Sequence, residues 1–245
     1  MRIARSMELG FSAPHATAVS LTGRSGAERG GCYVQYGCGL CAPEGWINFD
    51  ASPRLRIERA YGLRTVLRAA VGHAFPPNVR PGDIVRGLPV ADGSAQAAYC
   101  SHVLEHLPRD DVTAALRNTF RLLRPGGVFR LVVPDLQWRA ARYVEAASGA
   151  DPAAADGLID SCLLGTRSNP RTPVDWLRKQ LGRSAHLWMY DFAALERLLA
   201  EAGFAQIRRC TLGDGDDPMF LLVEQADRFY EAGEAELSIQ AVCPG

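Results

Sequence analysis

Two features of the sequence have the residue types and the spacing to bind a nucleoside. Gly37-Cys38-Gly39 is a glycine turn, which lets the backbone approach a ligand without an intervening Cβ atom. Asp50 follows about a dozen residues later, and its carboxylate can accept two hydrogen bonds from the vicinal hydroxyls of a ribose. Taken singly, the turn is equally explained as an ordinary loop, and the aspartate as a helix cap or a surface acid. Together they favour a nucleoside ligand.

The segment after the turn distinguishes a single nucleoside from a dinucleotide. A dinucleotide-binding fingerprint has a third glycine about three residues further on, at the start of a helix whose N-terminus faces the pyrophosphate. Here residues 40–45 form only a short loop before the next strand-like run. A pyrophosphate would lack its helix N-terminus, so the sequence disfavours a nicotinamide-dependent oxidoreductase.

Three residues are candidates for proton transfer to or from a substrate. His186 is the leading candidate for a general base because histidine titrates near neutrality, and His106 and Asp135 are the reserves. A histidine in the core or at a helix start explains His186 equally well. Arg139 and Arg142 lie three apart on a predicted helix and could bind a phosphate or carboxylate of the substrate, although solvated surface arginines are commoner.

One pattern resembles a zinc site. His102 and His106 are four apart with Glu105 between them, which gives H-x-x-E-H, the inverted form of a zinc-protease motif. Pro108 follows almost at once and leaves little helix to hold two imidazoles on one face. We therefore expect no metal in this protein.

Composition and charge limit the classes of function. The 245 residues include 27 basic and 27 acidic side chains and are 47% hydrophobic, which is typical of a soluble α/β domain. A formal net charge of +0 removes the general attraction to nucleic acid and to acidic lipid, and no apolar stretch is long enough to span a membrane. Seven scattered cysteines, an odd number, indicate reduced thiols in a cytosolic compartment. Cys38-x-x-Cys41 has no second pair, so we expect neither a zinc ribbon nor a redox role.

These residues need a sheet to position them, and the sequence predicts one. Strand-like runs are predicted at residues 32–36, 46–50, 97–100, 128–133, 205–210 and 237–242, and helices at 54–71, 110–123, 191–202 and within 218–231. Strands that alternate with helices indicate βαβ units and a doubly wound, parallel α/β sheet. Ligands of such sheets lie beyond the carboxyl ends of the strands, where the candidate residues fall.

Five motifs in order carry a resemblance to a known family. They are Tyr-Gly-Cys-Gly at 36–39, Gly-Trp-Ile-Asn-Phe-Asp at 45–50, Asp83 before Gly-Leu-Pro at 87–89, Ser-His-Val-Leu-Glu-His-Leu at 101–107 and Leu-Arg-Pro-Gly-Gly at 123–127. This series resembles the class I S-adenosylmethionine-dependent methyltransferases, and within them the bacterial type 11 group with its HVLEHL signature. The resemblance covers about residues 32–135 and extends to His-Leu-Trp-Met-Tyr-Asp at 186–191.

The resemblance implies a fold and a division of the chain. It implies a Rossmann-like, mostly parallel sheet of seven strands, with the last strand antiparallel. We expect residues 1–30 to form a disordered leader and residues 31–245 a single domain. Within that domain, 31–134 would bind the cofactor, 135–190 would be a helical insertion over the acceptor, and 191–245 would supply the last helix and strands.

The resemblance also implies the residues that hold S-adenosylmethionine. By family position, the amino-acid moiety of the cofactor would lie beside the turn of Gly37, Cys38 and Gly39, and Asp50 would bind the ribose. The adenine would lie at Asp83 and Ile84, after the third strand. The methionine part would lie above Ser101 and His102, after the fourth strand. One departure is Ala95-Gln96, where the family usually has Phe-Asp, but that acid is commonly structural.

We therefore expect a cytoplasmic methyltransferase. It would transfer a methyl group by in-line displacement to a small-molecule or sugar-type acceptor, with neither a nucleic-acid nor a membrane partner. The alternative is a catalytically silent, methyltransferase-like protein that binds the cofactor and acts as a partner subunit. A pocket beside the 135–190 segment, with a polar group in reach, would favour the enzyme.

Overall fold

The computed structural model describes residues 31–60, 73–165, 172, 185–231 and 233–245. The predicted leader at 1–30 and the second half of the predicted helix 54–71 lie outside these residues. In the described part of the chain, no helix is both long enough and apolar enough to cross a membrane.

A seven-stranded sheet forms the centre of the domain. Its strands are β1 (Cys32–Tyr36), β2 (Trp46–Asp50), β3 (Val79–Pro81), β4 (Ala95–Ser101), β5 (Leu123–Val133), β6 (Ala205–Arg209) and β9 (Leu237–Val242), and β7 (Tyr230–Glu231) pairs separately with β8 (Glu234–Ala235). The spatial order is β3-β2-β1-β4-β5-β9-β6, with β1 to β5 parallel and β9 antiparallel to both of its neighbours. The expectation of a Rossmann-like sheet with an antiparallel last strand is confirmed.

Helices pack against this sheet. They are α1 (Pro53–Ala60), α2 (Arg109–Leu122), α3 (Leu136–Ser148), α4 (Ala154–Ser161), α5 (Phe192–Glu201) and α6 (Ala226–Phe229), with 3₁₀ turns at Leu104–His106 and Pro218–Leu222. α2 has Asp110 and Asp111 in its first turn, where carboxylates interact favourably with the helix dipole. The Asp191 side chain caps α5 by accepting from the Ala194 N–H. Both starts agree with the sequence prediction within a residue.

The core explains why the central strands are almost wholly apolar. β1, β4 and β5 have a strand on each side and helices over them, so Val34, Ala98, Cys100, Phe129 and Leu131 are fully buried. The same core receives the apolar faces of α2 and α5. A rigid sheet therefore supports the loops at its carboxyl edge.

β5 begins five residues before the predicted start of that strand. Leu123 already pairs with Ala95, and the register then shifts before Val128 pairs with Ala97. The shift is a bulge, which Gly126 permits with a φ of +75°. The Pro-Gly-Gly segment, predicted to separate helix from strand, therefore lies within the strand.

The predicted helix within 218–231 is replaced by shorter elements. Asp217 accepts from the Met219 N–H, and Pro218 begins a 3₁₀ turn. The Trp46 indole donates to the Met219 carbonyl, which removes an acceptor that an α-helix would use. α6 then ends where β7 pairs with β8.

The segment at 135–190 leaves the sheet and returns to it. It begins at the end of β5 with α3 and α4, which pack on each other. Its last residue, Tyr190, forms a parallel bridge with Asp135, its first. Both ends of the segment therefore lie at the carboxyl edge of the sheet, and residues 166–171 and 173–184 of it are outside the described part of the chain.

Candidate functional site

The turn after β1 forms the first wall of the site. Gly37 and Gly39 have φ values of +66° and +54°, the left-handed region that favours glycine. A Cβ atom on Gly37 would lie 2.2 Å from Val103 Cγ2, so packing requires glycine there. A Cβ on Gly39 would meet no atom within 4 Å. Gly39 therefore borders open space, and a side chain would fill it.

Asp50 ends β2 and faces this turn. Its Oδ2 accepts from the Gly39 N–H at 2.9 Å, and its Oδ1 accepts from the Ser52 N–H at 2.8 Å. The residue is 8% exposed. A carboxylate can accept about four hydrogen bonds. The two backbone bonds therefore fix the carboxylate and leave each oxygen with a free acceptor position.

Cys38 lies between the two glycines and is 5% exposed. Burial, with a smaller contribution from the charge of Asp50, raises the pKa of its thiol to about 12. Burial also raises the pKa of the Cys41 thiol. Both thiols are therefore protonated at pH 7, the form that is the weaker nucleophile.

Asp83 and Ile84, in the loop after β3, have different surroundings. Ile84 is buried in the main core, and Asn118 donates to its carbonyl at 2.7 Å. The Asp83 carboxylate accepts from the Val85 N–H at 3.0 Å and lies 3.6 Å from Arg86. Asp83 is therefore the member of this pair that presents a polar side chain to a ligand.

His102, directly after β4, has an unusual backbone. Its φ is +55°, which is uncommon for a residue with a side chain, and its N–H donates to the Val132 carbonyl at 2.9 Å. Its Nδ1 lies 2.9 Å from the Ser101 hydroxyl. Burial, assisted by the charge of Arg228, lowers the pKa of His102 to about 4. The ring is therefore neutral at pH 7 and held in a strained turn.

A cavity of about 230 Å³ opens beside His102. It is lined by His102, Pro134, Ser161, Leu163, His186, Asp227, Arg228, Glu231 and Glu236. The wall combines two imidazoles, three carboxylates and one guanidinium. It therefore suits a small polar molecule with hydroxyl or amino groups.

Asp135 has a structural position at the edge of this region. Its Oδ1 accepts from the Gln137 and Trp138 N–H groups and caps α3, and its Oδ2 lies 3.2 Å from Arg209 Nη1. Its backbone N–H donates to Glu236. Both oxygens of this candidate base are thus occupied by partners that hold the fold.

Arg139 is a buried ion-pair partner. Its two terminal nitrogens donate to the two carboxylate oxygens of Glu236 at 2.9 and 2.8 Å, and it also pairs with Glu231. The alternative that Arg139 and Arg142 are both solvated surface arginines is therefore wrong for Arg139, which is 2% exposed. The helix face that carries Arg139 turns inward, toward β8 and its flanking residues.

The two remaining candidates, His106 and His186, lie together. Their ring centroids are 5.0 Å apart in an edge-to-face arrangement. Glu105 adjoins both rings, and one ligand atom from each of the three residues lies within 4.8 Å of the other two. Burial raises the pKa of Glu105 to about 8 and lowers that of His186.

Sequence reasoning missed Glu105 as part of this cluster. The sequence pairs Glu105 with His102 and His106, but His102 lies in the turn before the 3₁₀ helix. The third member is His186, whose segment is held by Leu187 and Trp188 N–H bonds to the Glu105 carbonyl at 2.7 and 3.2 Å. The spacing of His186 from Glu105 in the chain gave no signal of this contact.

Comparison with known proteins identifies the family. A family model described as a methyltransferase domain matches residues 27–208, well over half of the chain. The chain belongs to this methyltransferase family. The protein is accordingly a methyltransferase, and S-adenosylmethionine is its cofactor. No curated protein matches the sequence.

Solved methyltransferase structures are similar to this chain at low identity. One, a SAM-dependent methyltransferase from Thermotoga maritima, is 15% identical with a TM-score of 0.45, over 87% of this chain and 82% of that one. Another, a SAM-dependent methyltransferase from Archaeoglobus fulgidus, is 14% identical with a TM-score of 0.44, over 87% of both chains. At this similarity, neither structure bears on the acceptor of this methyltransferase.

Proposed function

We propose that this methyltransferase acts on a small-molecule or sugar-type acceptor bound at the carboxyl edge of the sheet, and that it belongs to the type 11 group. The cavity beside His102 carries the proposal. Its volume of about 230 Å³ lies below the roughly 300–1,000 Å³ of typical ligand pockets, which favours a small acceptor. The net charge of +0 offers no general attraction to a nucleic acid.

The residues of the turn and of β2 fit the cofactor. Open space beside Gly39 accommodates a ligand that lies directly on the backbone, and the preceding Gly37 and Cys38 complete that wall. The free acceptor positions of Asp50 fit two vicinal ribose hydroxyls. We assign the adenine to Asp83, with Ile84 behind it in the core, and the methionine part to the turn of Ser101 and His102.

The chain contributes position and orientation to the reaction. S-adenosylmethionine, when bound, supplies a methyl group on a sulfonium, which is a good leaving group. Holding an acceptor atom in line with that methyl group provides much of the rate, because proximity and orientation remove an entropic barrier. His102 connects the two halves, since it follows the cofactor strand β4 and also lines the acceptor cavity.

His186 is the candidate catalytic residue that contacts the acceptor in this proposal. It lines the cavity, whereas His106 stacks edge-on against it and Asp135 caps α3. Polar groups on the other cavity walls, Arg228 and Glu231, would orient hydroxyl or amino groups of the acceptor. A cavity with these polar groups favours a catalytically active enzyme over a silent partner protein that only binds the cofactor.

The cysteines support a proposal for the compartment. All seven are free, and five of them, Cys38, Cys100, Cys162, Cys210 and Cys243, are buried. Reduced, unpaired thiols are typical of a reducing compartment. We therefore propose that the protein acts in the cytoplasm, without a membrane partner.

Calorimetry with S-adenosylhomocysteine tests the cofactor site. Asp50→Asn removes the charge and one acceptor oxygen, so we expect binding to weaken by roughly 10- to 100-fold, the value of one or two hydrogen bonds to a charged group. Asp92→Asn is the control, since Asp92 is exposed and pairs with Arg121 away from the turn. Equal affinity in both variants would remove Asp50 from the site.

A labelling experiment tests the acceptor class. The enzyme and methyl-labelled S-adenosylmethionine are incubated with a cell extract that ultrafiltration has divided into low-molecular-weight and macromolecular fractions. We expect the label to enter the low-molecular-weight fraction. Label transferred only to RNA, DNA or protein would overturn the small-molecule assignment.

A further inference from the structure

Glu105 is a buried carboxylate without a hydrogen-bond partner. It is 0% exposed, and neither Oε1 nor Oε2 has a partner. Its backbone carbonyl, by contrast, accepts from two N–H groups. A buried polar group without a partner is costly, and an unpaired charge more so, so such groups in proteins are satisfied by a proton or a cation. The structure around Glu105 decides between these.

The His106 imidazole, next to Glu105, is oriented by a backbone carbonyl. His106 Nδ1 lies 3.2 Å from the Ala185 carbonyl, which can only accept, so Nδ1 carries the proton and the lone pair is on Nε2. That Nε2 lies 4.0 Å from Glu105 Oε1. The buried Nδ1 of His186 has no hydrogen-bond partner and can ligate a cation. Histidines that ligate metals are characteristically fixed, as His106 is, through the other ring nitrogen.

We propose that Glu105, His106 and His186 bind a divalent transition-metal ion, Zn²⁺, at the wall of the acceptor cavity. Two imidazoles and one carboxylate are a ligand set of catalytic zinc sites. The three ligand atoms lie within 4.8 Å of one another. Tetrahedral zinc with ligands at about 2.0–2.2 Å separates them by about 3.5 Å, so side-chain movements of about 1 Å close the site.

The reaction class selects zinc among the metals that this ligand set suits. Iron(II) also binds to two histidines and a carboxylate, in enzymes that activate oxygen. Methyl transfer from a sulfonium changes no oxidation state, and zinc has no redox chemistry. Magnesium and calcium prefer sites made of oxygen ligands.

The metal site adjoins the acceptor. His186 belongs to the cluster and also lines the cavity. Three protein ligands leave a fourth position of tetrahedral zinc for water or substrate. An acceptor oxygen or nitrogen would take that position, and this second statement rests on the proposed function, whereas metal binding does not.

Metal binding is tested on the chelator-treated full chain. Zn²⁺ is titrated against a chromophoric chelator, and Co²⁺ serves as a spectroscopic probe whose visible absorption reports tetrahedral N/O coordination. We expect one ion per chain, and at least a 100-fold loss of affinity in Glu105→Gln and in His186→Asn. His102→Asn is the matched control, because His102 lines the same cavity outside the cluster and asparagine tolerates its positive φ.

Each outcome decides the proposal. Wild-type chain that binds no stoichiometric ion, or affinity that depends on His102 and is unchanged in His186→Asn, overturns the site. Should Glu105→Gln fail to fold, the affinity of His186→Asn decides. S-adenosylhomocysteine binding is measured on the same metal-free samples. Cofactor binding without metal binding refutes only the metal site, and metal binding without cofactor binding refutes only the proposed function.

Discussion

The Gly39 backbone N–H donates to Asp50 Oδ2 at 2.9 Å and joins the turn after β1 to the last residue of β2. The bond orients the carboxylate before any ligand arrives, and a second bond from the Ser52 N–H holds its other oxygen. A site fixed in this way loses less conformational entropy on binding. The two walls of the cofactor site therefore act as one unit.

Gly39→Ala should separate ligand contact from backbone strain. Alanine at the φ of +54° costs about 1–2 kcal/mol of stability, and its Cβ enters the open space assigned to the cofactor. Gly93→Ala is the matched control, with a φ of +64° and nothing within 4 Å of its Cβ. We expect similar melting temperatures for the two variants, but S-adenosylhomocysteine binding at least tenfold weaker only in Gly39→Ala. Equal binding by both variants would contradict a cofactor at Gly39.

Arg139→Met should destabilise the fold strongly. It leaves Glu236 buried without its guanidinium, and breaking a buried ion pair from one side costs about 3–5 kcal/mol. Arg142→Met, an exposed position on the same helix, should cost less than about 1 kcal/mol. The free energy of unfolding in urea measures both. Adding Glu236→Gln to Arg139→Met should restore part of the lost free energy of unfolding, because it removes the unpaired buried charge. A double variant no more stable than Arg139→Met would contradict the ion pair between Arg139 and Glu236.

Asp214 should make the stability of the fold depend on pH in the acidic range. Partial burial acts to raise its pKa, but hydrogen bonds from Arg130 and Arg208 outweigh this and lower the pKa from 3.8 to about 2. A lowered folded-state pKa stabilises the fold above the unfolded value, and this contribution is lost as the pH falls from about 4 through about 2. The wild type should therefore exceed Asp214→Asn in stability at pH 5, and the difference should shrink toward pH 2.

Urea unfolding at a series of pH values checks this expectation. Asp216→Asn is the control, because Asp216 is an exposed aspartate two residues away and forms no ion pair with any of the described residues. A difference between the wild type and Asp214→Asn that stays constant from pH 5 to pH 2 would show that Asp214 titrates equally in both states.

The features that the sequence predicted are those set by local pattern. The alternation of apolar runs predicts β4, β5 and β9, and the last agrees with the observed Leu237–Val242. Asp191 before an apolar period of about 3.6 residues predicts α5. Family motifs, each within a few residues, indicated Gly37 and Asp50 as neighbours at one sheet edge. A short-range signal is sufficient for each of these.

The features that the sequence did not predict depend on long-range contacts. The sequence pattern indicates that Gly126 ends a helix, yet Gly126 lies within β5 because Leu123, before it, already pairs with Ala95. The sequence pattern indicates a surface position for Arg139, yet Arg139 is buried in an ion pair with Glu236, which follows β8. His186 contacts Glu105 only because the returning segment is held on the 3₁₀ turn. In each case the partner lies dozens of residues away, where no periodic pattern can indicate it.

The position of β9 between β5 and β6 has a consequence for biosynthesis. In the sheet, β6 pairs with β9 alone, and β9 is translated after β6. While the ribosome completes the chain, β5 keeps one open edge and β6 has no sheet partner, and unpaired edges of this kind favour aggregation. A chain in which β9 has not yet paired is therefore the form of this protein most prone to aggregation.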